Sequence, residues 1–217
     1  MVIYEANNNS SGEIRNGGKR MPVIFSEEDR ERLTLQIHKN AIAMFEQKGI
    51  KKTSIGELAA SVGIAKGTFY HFYRSKGELV AGIIREYDRR SWARGLAILG
   101  DREKLPVEEF IRFYRTIFAP ENTLLYHVSV EDVEWMRKDA GTQEFFEPEH
   151  AKAATREILT YLEGVRPDVD YGYVTNISKI INLMTENREN FCPEAYEKNV
   201  ESVFSHLMQY LMGKEDR

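Results

Sequence analysis

Between Lys48 and Lys76 the chain carries six cations, Lys48, Lys51, Lys52, Lys66, Arg74 and Lys76, against one carboxylate, Glu57. Among them lie the hydroxyls of Thr53, Ser54, Thr68, Tyr70 and Tyr73 and the imidazole of His71. Cations, hydroxyls and free N–H groups at helix starts are what hold phosphate oxygens, whereas bases are read by side chains at the front of a helix lying in a major groove. The chemistry on offer is recognition of a polyanion. Bond-making chemistry has no comparable signal: there is no Gly-rich phosphate loop, nucleophile elbow or metal-binding His pair, and Ser, His and Asp fall in no informative arrangement. The expectation is a protein that is not an enzyme and needs no cofactor.

Something must hold those groups in one plane, and the apolar residues between them supply it. Counting Ile55 as the first of twenty positions puts Leu58, Val62, Ile64, Phe69 and Phe72 at positions 4, 8, 10, 15 and 18, with Ala59 at 5 and Gly63 at 9. Two short helices crossing steeply need a small residue where their axes approach, which Ala59 provides, and a turn residue tolerant of positive φ, which Gly63 provides. Ser54 with Glu57 forms an S-x-x-E capping box at the start of the first helix, and Ser75 with Glu78 repeats it for the helix that follows. This is the pattern of a helix-turn-helix. An ordinary helical hairpin would account for the apolar positions but not for Lys66, Gly67, Thr68, Tyr70, His71, Arg74 and Lys76 crowded around the second helix.

This segment resembles the DNA-binding domain of the TetR family of bacterial transcriptional regulators, through the run KGTFYHFYRSKGEL from Lys66 to Leu79, and the resemblance is specific over about residues 27 to 90. The resemblance implies a first helix ahead of the motif, a recognition helix over residues 65–73 and a connector helix from Lys76 onward. Chemistry and resemblance together assign phosphate contacts to Thr53, Ser54, Tyr70, His71 and Lys76. Lys66, Gly67 and Thr68, at the leading turn, become the residues that face bases, with Gly67 allowing close backbone approach. The chain departs from the family's commonest pattern at Phe72, where His or Tyr is frequent, and at Tyr73, where Phe is frequent. The phosphate contact expected at 72 is then in question, with Tyr73 as an alternative hydroxyl.

Charge is divided in the same sense. Residues 19–90 hold 14 Lys and Arg against 9 Asp and Glu, whereas residues 91–217 hold 15 against 23, within a chain of net charge −4. A local basic face on an acidic protein suits a DNA contact that resists nonspecific adhesion. The single cysteine, Cys192, excludes an intramolecular disulfide. No run approaches the roughly 18 apolar residues of a membrane span, and the start lacks the layout of a signal peptide, so a cytoplasmic protein is expected. Residues 1–25, with NNNSSG and NGG, are expected as a flexible arm, with Met21 an alternative start and Arg15, Lys19 and Arg20 placed to reach a minor groove.

Helical periodicity runs through the rest of the chain, and the expected class is all-α: a three-helix DNA-binding domain over 26–75, then a helical ligand-binding and dimerisation domain over 76–217 entered through a connector helix 76–99. Leu33, Ile37, Ala41, Met44 and Phe45 mark the supporting first helix, which Gly49 stops. Further helices are expected between Pro106 and Pro120, over 122–139 and over 142–163, and two long ones over about 168–188 and 194–212. One recognition helix covers only half a site, so a two-fold dimer is expected. In proteins this chain looks like, the last two helices form that dimer.

The resemblance also implies a small-molecule pocket in the middle helices, for which Trp92, Phe113, Tyr114, Phe118, Tyr126 and Trp135 are the candidates. Their aromatic surface suits a flat or cationic apolar effector. Glu131, Asp132 and Glu134 read as a solvated acidic turn, and His127 and His150 lack partners at metal-ligand spacing. The expected function is therefore a sequence-specific transcriptional regulator, a repressor released from a palindromic operator by a small molecule. The alternative is a DNA-bound structural or cell-division factor of the same fold that works through a protein partner.

Overall fold

The computed structural model describes residues 25–214, and the expected arm and its Arg15, Lys19 and Arg20 lie outside them, Phe25 excepted. Nine α-helices are present among the described residues: α1 (Glu27–Lys48), α2 (Ile55–Ser61), α3 (Lys66–Phe69), α4 (Lys76–Leu99), α5 (Val107–Ile117), α6 (Val130–Lys138), α7 (Pro148–Leu159), α8 (Tyr171–Glu186) and α9 (Pro193–Leu211). The fold is all-helical, with no strand in that range beyond an isolated bridge between Leu105 and Leu162. Within it, no helix is long and apolar enough to cross a membrane.

Local signals set most of the boundaries. Ser26 caps α1 by accepting the Asp29 N–H at 3.1 Å, and Glu27, Glu28 and Asp29 put negative charge at the positive end of the helix dipole. Gly49 ends that helix at φ 86°. The α2 box closes in both directions, Ser54 Oγ accepting the Glu57 N–H at 3.2 Å and the Glu57 carboxylate accepting the Ser54 N–H at 2.9 Å. Gly63 takes φ 74° in the turn that follows.

Three helices are shorter than expected, two from apolar spacing and one from the resemblance. Over 122–139 only Val130–Lys138 is α-helical, because Ser129 caps a fresh start; 3-10 turns at Pro120–Asn122 and Leu124–His127 precede it. Over 142–163 the helix begins at Pro148, whose missing N–H and fixed φ suit a first turn and bar continuation from upstream. The expected recognition helix 65–73 ends at Phe69. Beyond it the His71 and Phe72 amides donate to the carbonyls three residues back, at 3.1 and 2.9 Å, tightening the chain into a turn.

Two apolar cores organise these helices, and α4 belongs to both. Its first half buries Leu79, Val80 and Ile83 with Leu33, Ile37, Ala41, Phe45, Leu58 and Phe69. Its second half carries Leu99 into a core with Phe110, Phe113, Leu159, Val174 and Phe204. Gly95 lets α5 approach closely, since a Cβ there would lie 2.7 Å from the Ile117 side chain. At about 1.5 Å per residue, 24 residues make α4 a rod of roughly 36 Å linking the cores. The first core also takes Leu124 and Met136, with Val128, Trp135 and Phe146 packed against it, so residues beyond position 120 complete the helix-turn-helix unit.

Candidate nucleic-acid interface

Phe69 is the pivot of the recognition segment: fully buried, it fixes α3 against α1 and α2 and turns the opposite side of the short helix outward. Lys66, Gly67, Tyr70, His71 and Arg74 are exposed there, and Thr68 is half-buried. A Cβ built on Gly67 meets nothing within 4 Å. The protein's own packing therefore does not require glycine at this position. Ser54 is exposed at the start of α2, its hydroxyl oxygen accepting the Glu57 N–H and its side chain hydrogen-bonded to the Glu57 carboxyl. Lys51 and Lys52, in the loop just before, are exposed as well.

Three of the residues expected to touch DNA are turned to other work. Thr53 is 1% exposed, and its hydroxyl donates to the Gly49 carbonyl at 2.8 Å. Tyr73 is buried, with its hydroxyl 2.6 Å from His38 Nε2, and burial pushes its phenol up to about 12. It thus joins α1 to the end of the recognition turn, and its hydroxyl is not available to a phosphate in place of the one Phe72 lacks. Lys76 donates to the carbonyls of Ile50, Lys51 and Thr53 at 2.7, 3.1 and 3.1 Å. An ammonium has three N–H donors, so all are committed to backbone. The Trp135 ring lies 5.3 Å from the same nitrogen, and burial holds the ammonium below the ordinary lysine range, partly offset by Asp132 and Asp139.

Phe72 is explained by what it packs on. Its ring meets Phe25 edge-on at 5.7 Å and lies under the Arg30 guanidinium at 5.0 Å. Arg30 also donates to the His71 carbonyl at 2.9 Å, bringing a cation from α1 to the end of the recognition turn. Its sequence separation of 41 residues hid it; the aromatic at 72 was the one local hint. Lys48 is paired with Glu57 at 2.5 Å, which with the Ser54 N–H holds that carboxyl down to about 2. The basic stretch therefore presents Lys51, Lys52, Lys66 and Arg74 outward more than Lys48 and Lys76.

The six aromatic pocket candidates separate. Trp92 and Phe113 pack with Tyr161, their rings 6.3 Å from each other and 6.0 and 5.4 Å from it. Tyr114 packs on Phe118 at 4.6 Å and meets Phe204 edge-on at 5.5 Å. These four belong to the second core. Tyr126 is 60% exposed, and Trp135 packs on the first core. A surface groove of about 510 Å³ lies elsewhere, between α4, α5 and the turn at Pro120–Asn122, lined by Arg94, Ile111, Arg112, Arg115 and Asn122 among others. No cluster of His, Cys, Asp and Glu able to hold a metal occurs among the described residues.

On the outer side of α8, Ile180 and Leu183 are 44% and 58% exposed although the opposite side buries Val174, Ile181 and Met184. Ile177, one turn before Ile180, is half-buried, as is Val203 on α9. At one end, Tyr173 of α8 packs on Tyr210 of α9 at 4.7 Å and its hydroxyl lies 2.5 Å from His206 Nε2.

Comparison with known proteins agrees with this geometry. Residues 37–83 match the family model described as bacterial regulatory proteins, tetR family. The chain is 28% identical over 140 residues to the HTH-type transcriptional repressor KstR2 of Mycolicibacterium smegmatis, covering 62% of this chain and 68% of that protein. It is 30% identical over 105 residues to the uncharacterized HTH-type transcriptional regulator YuxN of Bacillus subtilis, covering 48% of this chain but only 31% of that protein. Among solved structures, a transcriptional regulator from Rhodococcus sp. Rha1 shares the fold at 14% identity with a TM-score of 0.59, covering 82% of this chain and 97% of that one.

Proposed function

We propose, from the premise that this chain belongs to the TetR family of bacterial regulatory proteins and is a DNA-binding transcriptional regulator, that it is a dimeric repressor leaving a palindromic operator when a small molecule binds its C-terminal half. The observation that carries the DNA reading is the outward face of the recognition segment: Lys66, Gly67 and Thr68 at the front of α3, flanked by Lys51, Lys52, Ser54, Tyr70, His71 and Arg74, on a fully buried Phe69. Lys66 and Thr68 meet base edges, and the flanking groups take phosphates. Dimerisation uses the apolar outer face of α8 with α9. The repressor role of the mycobacterial relative supports repression here. A second reading, a DNA-bound factor that holds a protein partner, is favoured by one observation: Trp92, Phe113, Tyr114 and Phe118 pack on other aromatic rings of the second core.

Gly67 gives the sharpest test, because two effects of one methyl group have opposite signs. In an exposed helical position Gly→Ala stabilises a fold by up to about 1 kcal/mol, and the space around Gly67 admits the methyl. The same methyl obstructs backbone approach to a base edge. Gly67→Ala is expected to raise the unfolding midpoint and weaken operator binding at least severalfold, measured by footprinting and titration on the gene's own upstream DNA. Lys66 and Thr68 substitutions are expected to change which sequence is preferred. Unaltered operator affinity in Gly67→Ala, or equal affinity of the parent protein for operator and random DNA at moderate salt, defeats the proposal.

A further inference from the structure

The loop that presents Lys51, Lys52 and Ser54 is held from the acidic half of the chain. Asp132, on α6, is 2% exposed, and its carboxylate accepts the Lys51 N–H at 3.2 Å and the Ser129 hydroxyl at 3.1 Å. Gly49 lies flat against it: at φ 86°, a Cβ there would sit 3.0 Å from Oδ2. The carbonyls of Ile50, Lys51 and Thr53, in the same loop, are gathered by the Lys76 ammonium. Trp135, one turn after Asp132, lies against that ammonium. Farther along, Asp139 and Gly141 press on Gly77: a Cβ on Gly77 would fall 1.8 Å from Asp139 Oδ1, and one on Gly141 would fall 2.7 Å from the Gly77 carbonyl carbon. At the other end of the segment, His127 pairs with Glu46 of α1 at 2.6 Å and stacks on Tyr87 of α4.

A carboxylate from α6 thus fixes a donor of this loop while a cation from α4 fixes its acceptors. A buried carboxylate that accepts a backbone N–H of a neighbouring unit is a strong restraint, because separation would leave that oxygen without its partner. We infer that Asp132, which touches no DNA, is a positioning residue for the DNA interface: it seats the Gly49–Ser54 loop so that Lys51, Lys52 and Ser54 meet phosphates, and movement of α6 unseats them. The inference rests on the DNA-binding reading above.

The test exploits the sign of the electrostatics. Removing a negative charge near DNA should strengthen binding, or leave it unchanged after screening. Removing a positioning carboxylate should weaken it. Asp132→Leu, which keeps the bulk but removes the acceptor that an Asn would retain, is expected to lower operator affinity about tenfold and reduce the salt slope by about one, the loss of the Lys51 phosphate contact. Glu131→Gln, an exposed acid beside it, removes the same charge and is expected to bind as tightly as the parent or tighter. Circular dichroism, unfolding midpoint and sedimentation establish that both variants are folded and share the parent's assembly state. Operator affinity and slope equal to the parent's in folded Asp132→Leu overturns the inference; a parent that cannot tell operator from random DNA overturns the DNA reading instead. Should Asp132→Leu not fold, amide exchange on DNA-free parent decides. The Lys51 N–H must exchange as slowly as amides within α4, and rapid exchange there refutes the clamp.

Discussion

The outer face of α8 makes a quantitative claim about assembly. Ile180 and Leu183 keep 44% and 58% of their surface exposed in the isolated protomer. Full burial of such a side chain contributes about 1.5–3 kcal/mol, so covering these remainders contributes about 0.7–1.3 and 0.9–1.7 kcal/mol. Two-fold symmetry doubles the sum, to about 3–6 kcal/mol per dimer. Ile180→Glu with Leu183→Glu removes this term and adds the cost of desolvating four carboxylates that face one another across the axis. At about 1.4 kcal/mol per factor of ten, the dimer constant should weaken at least 100-fold. Sedimentation equilibrium would find a folded monomer at micromolar concentration, and operator binding would fall to that of one half-site. Each protomer should keep its helix content, because neither side chain is part of the second core. A double variant that remains dimeric at low micromolar concentration would refute α8 as the interface.

Two further outcomes follow from His38 and Lys76. Burial holds the His38 imidazole at about 4 against an ordinary 6.5, so the unfolded chain takes up its proton more readily. Its contribution is complete above pH 6.5 and declines as pH falls toward 4, by up to about 3 kcal/mol. Urea unfolding at pH 7 and 4.5 should show that acid loss in the parent and a much smaller one in His38→Gln; equal losses would exclude His38 as its source. Lys76→Met frees three loop carbonyls while its stem still covers Trp135. It should destabilise the fold by about 2–3 kcal/mol and, because the loop that Lys76 holds carries Lys51 and Lys52, lower the salt slope of operator binding by about one; a reduced slope with unchanged fold stability would return Lys76 to the phosphate contacts.

The features legible in the sequence are those whose physical cause lies within a few residues. Ser54 with Glu57 and Ser75 with Glu78 announce two helix starts because a cap and its partner are three positions apart. Gly63 was recognisable since only the turn needs its positive φ, and the spacing of Leu58, Ala59 and Phe69 encodes a crossing that buries all three. Helix lengths were harder, because apolar periodicity persists through the interruptions at Ser129 and Pro148 where new caps restart the chain.

Polar residues were legible as chemistry but not as commitments. Lys76 carries the charge a phosphate contact would need, but its donors are taken by carbonyls 23 to 26 residues away. Tyr73 has a hydroxyl, but the partner that claims it is His38, 35 residues upstream. Asp132 shows the difficulty best: between Glu131 and Glu134 it looks like one more solvated acid, and only the fold brings it to Lys51, 81 residues away. Each side chain has a fixed capacity for hydrogen bonds, and long-range partners draw on it before any ligand arrives. Counting that capacity leaves the outward cations and hydroxyls of residues 51–74 for DNA. It also makes Lys76 and Asp132 the groups through which the rest of the chain controls how that surface is presented.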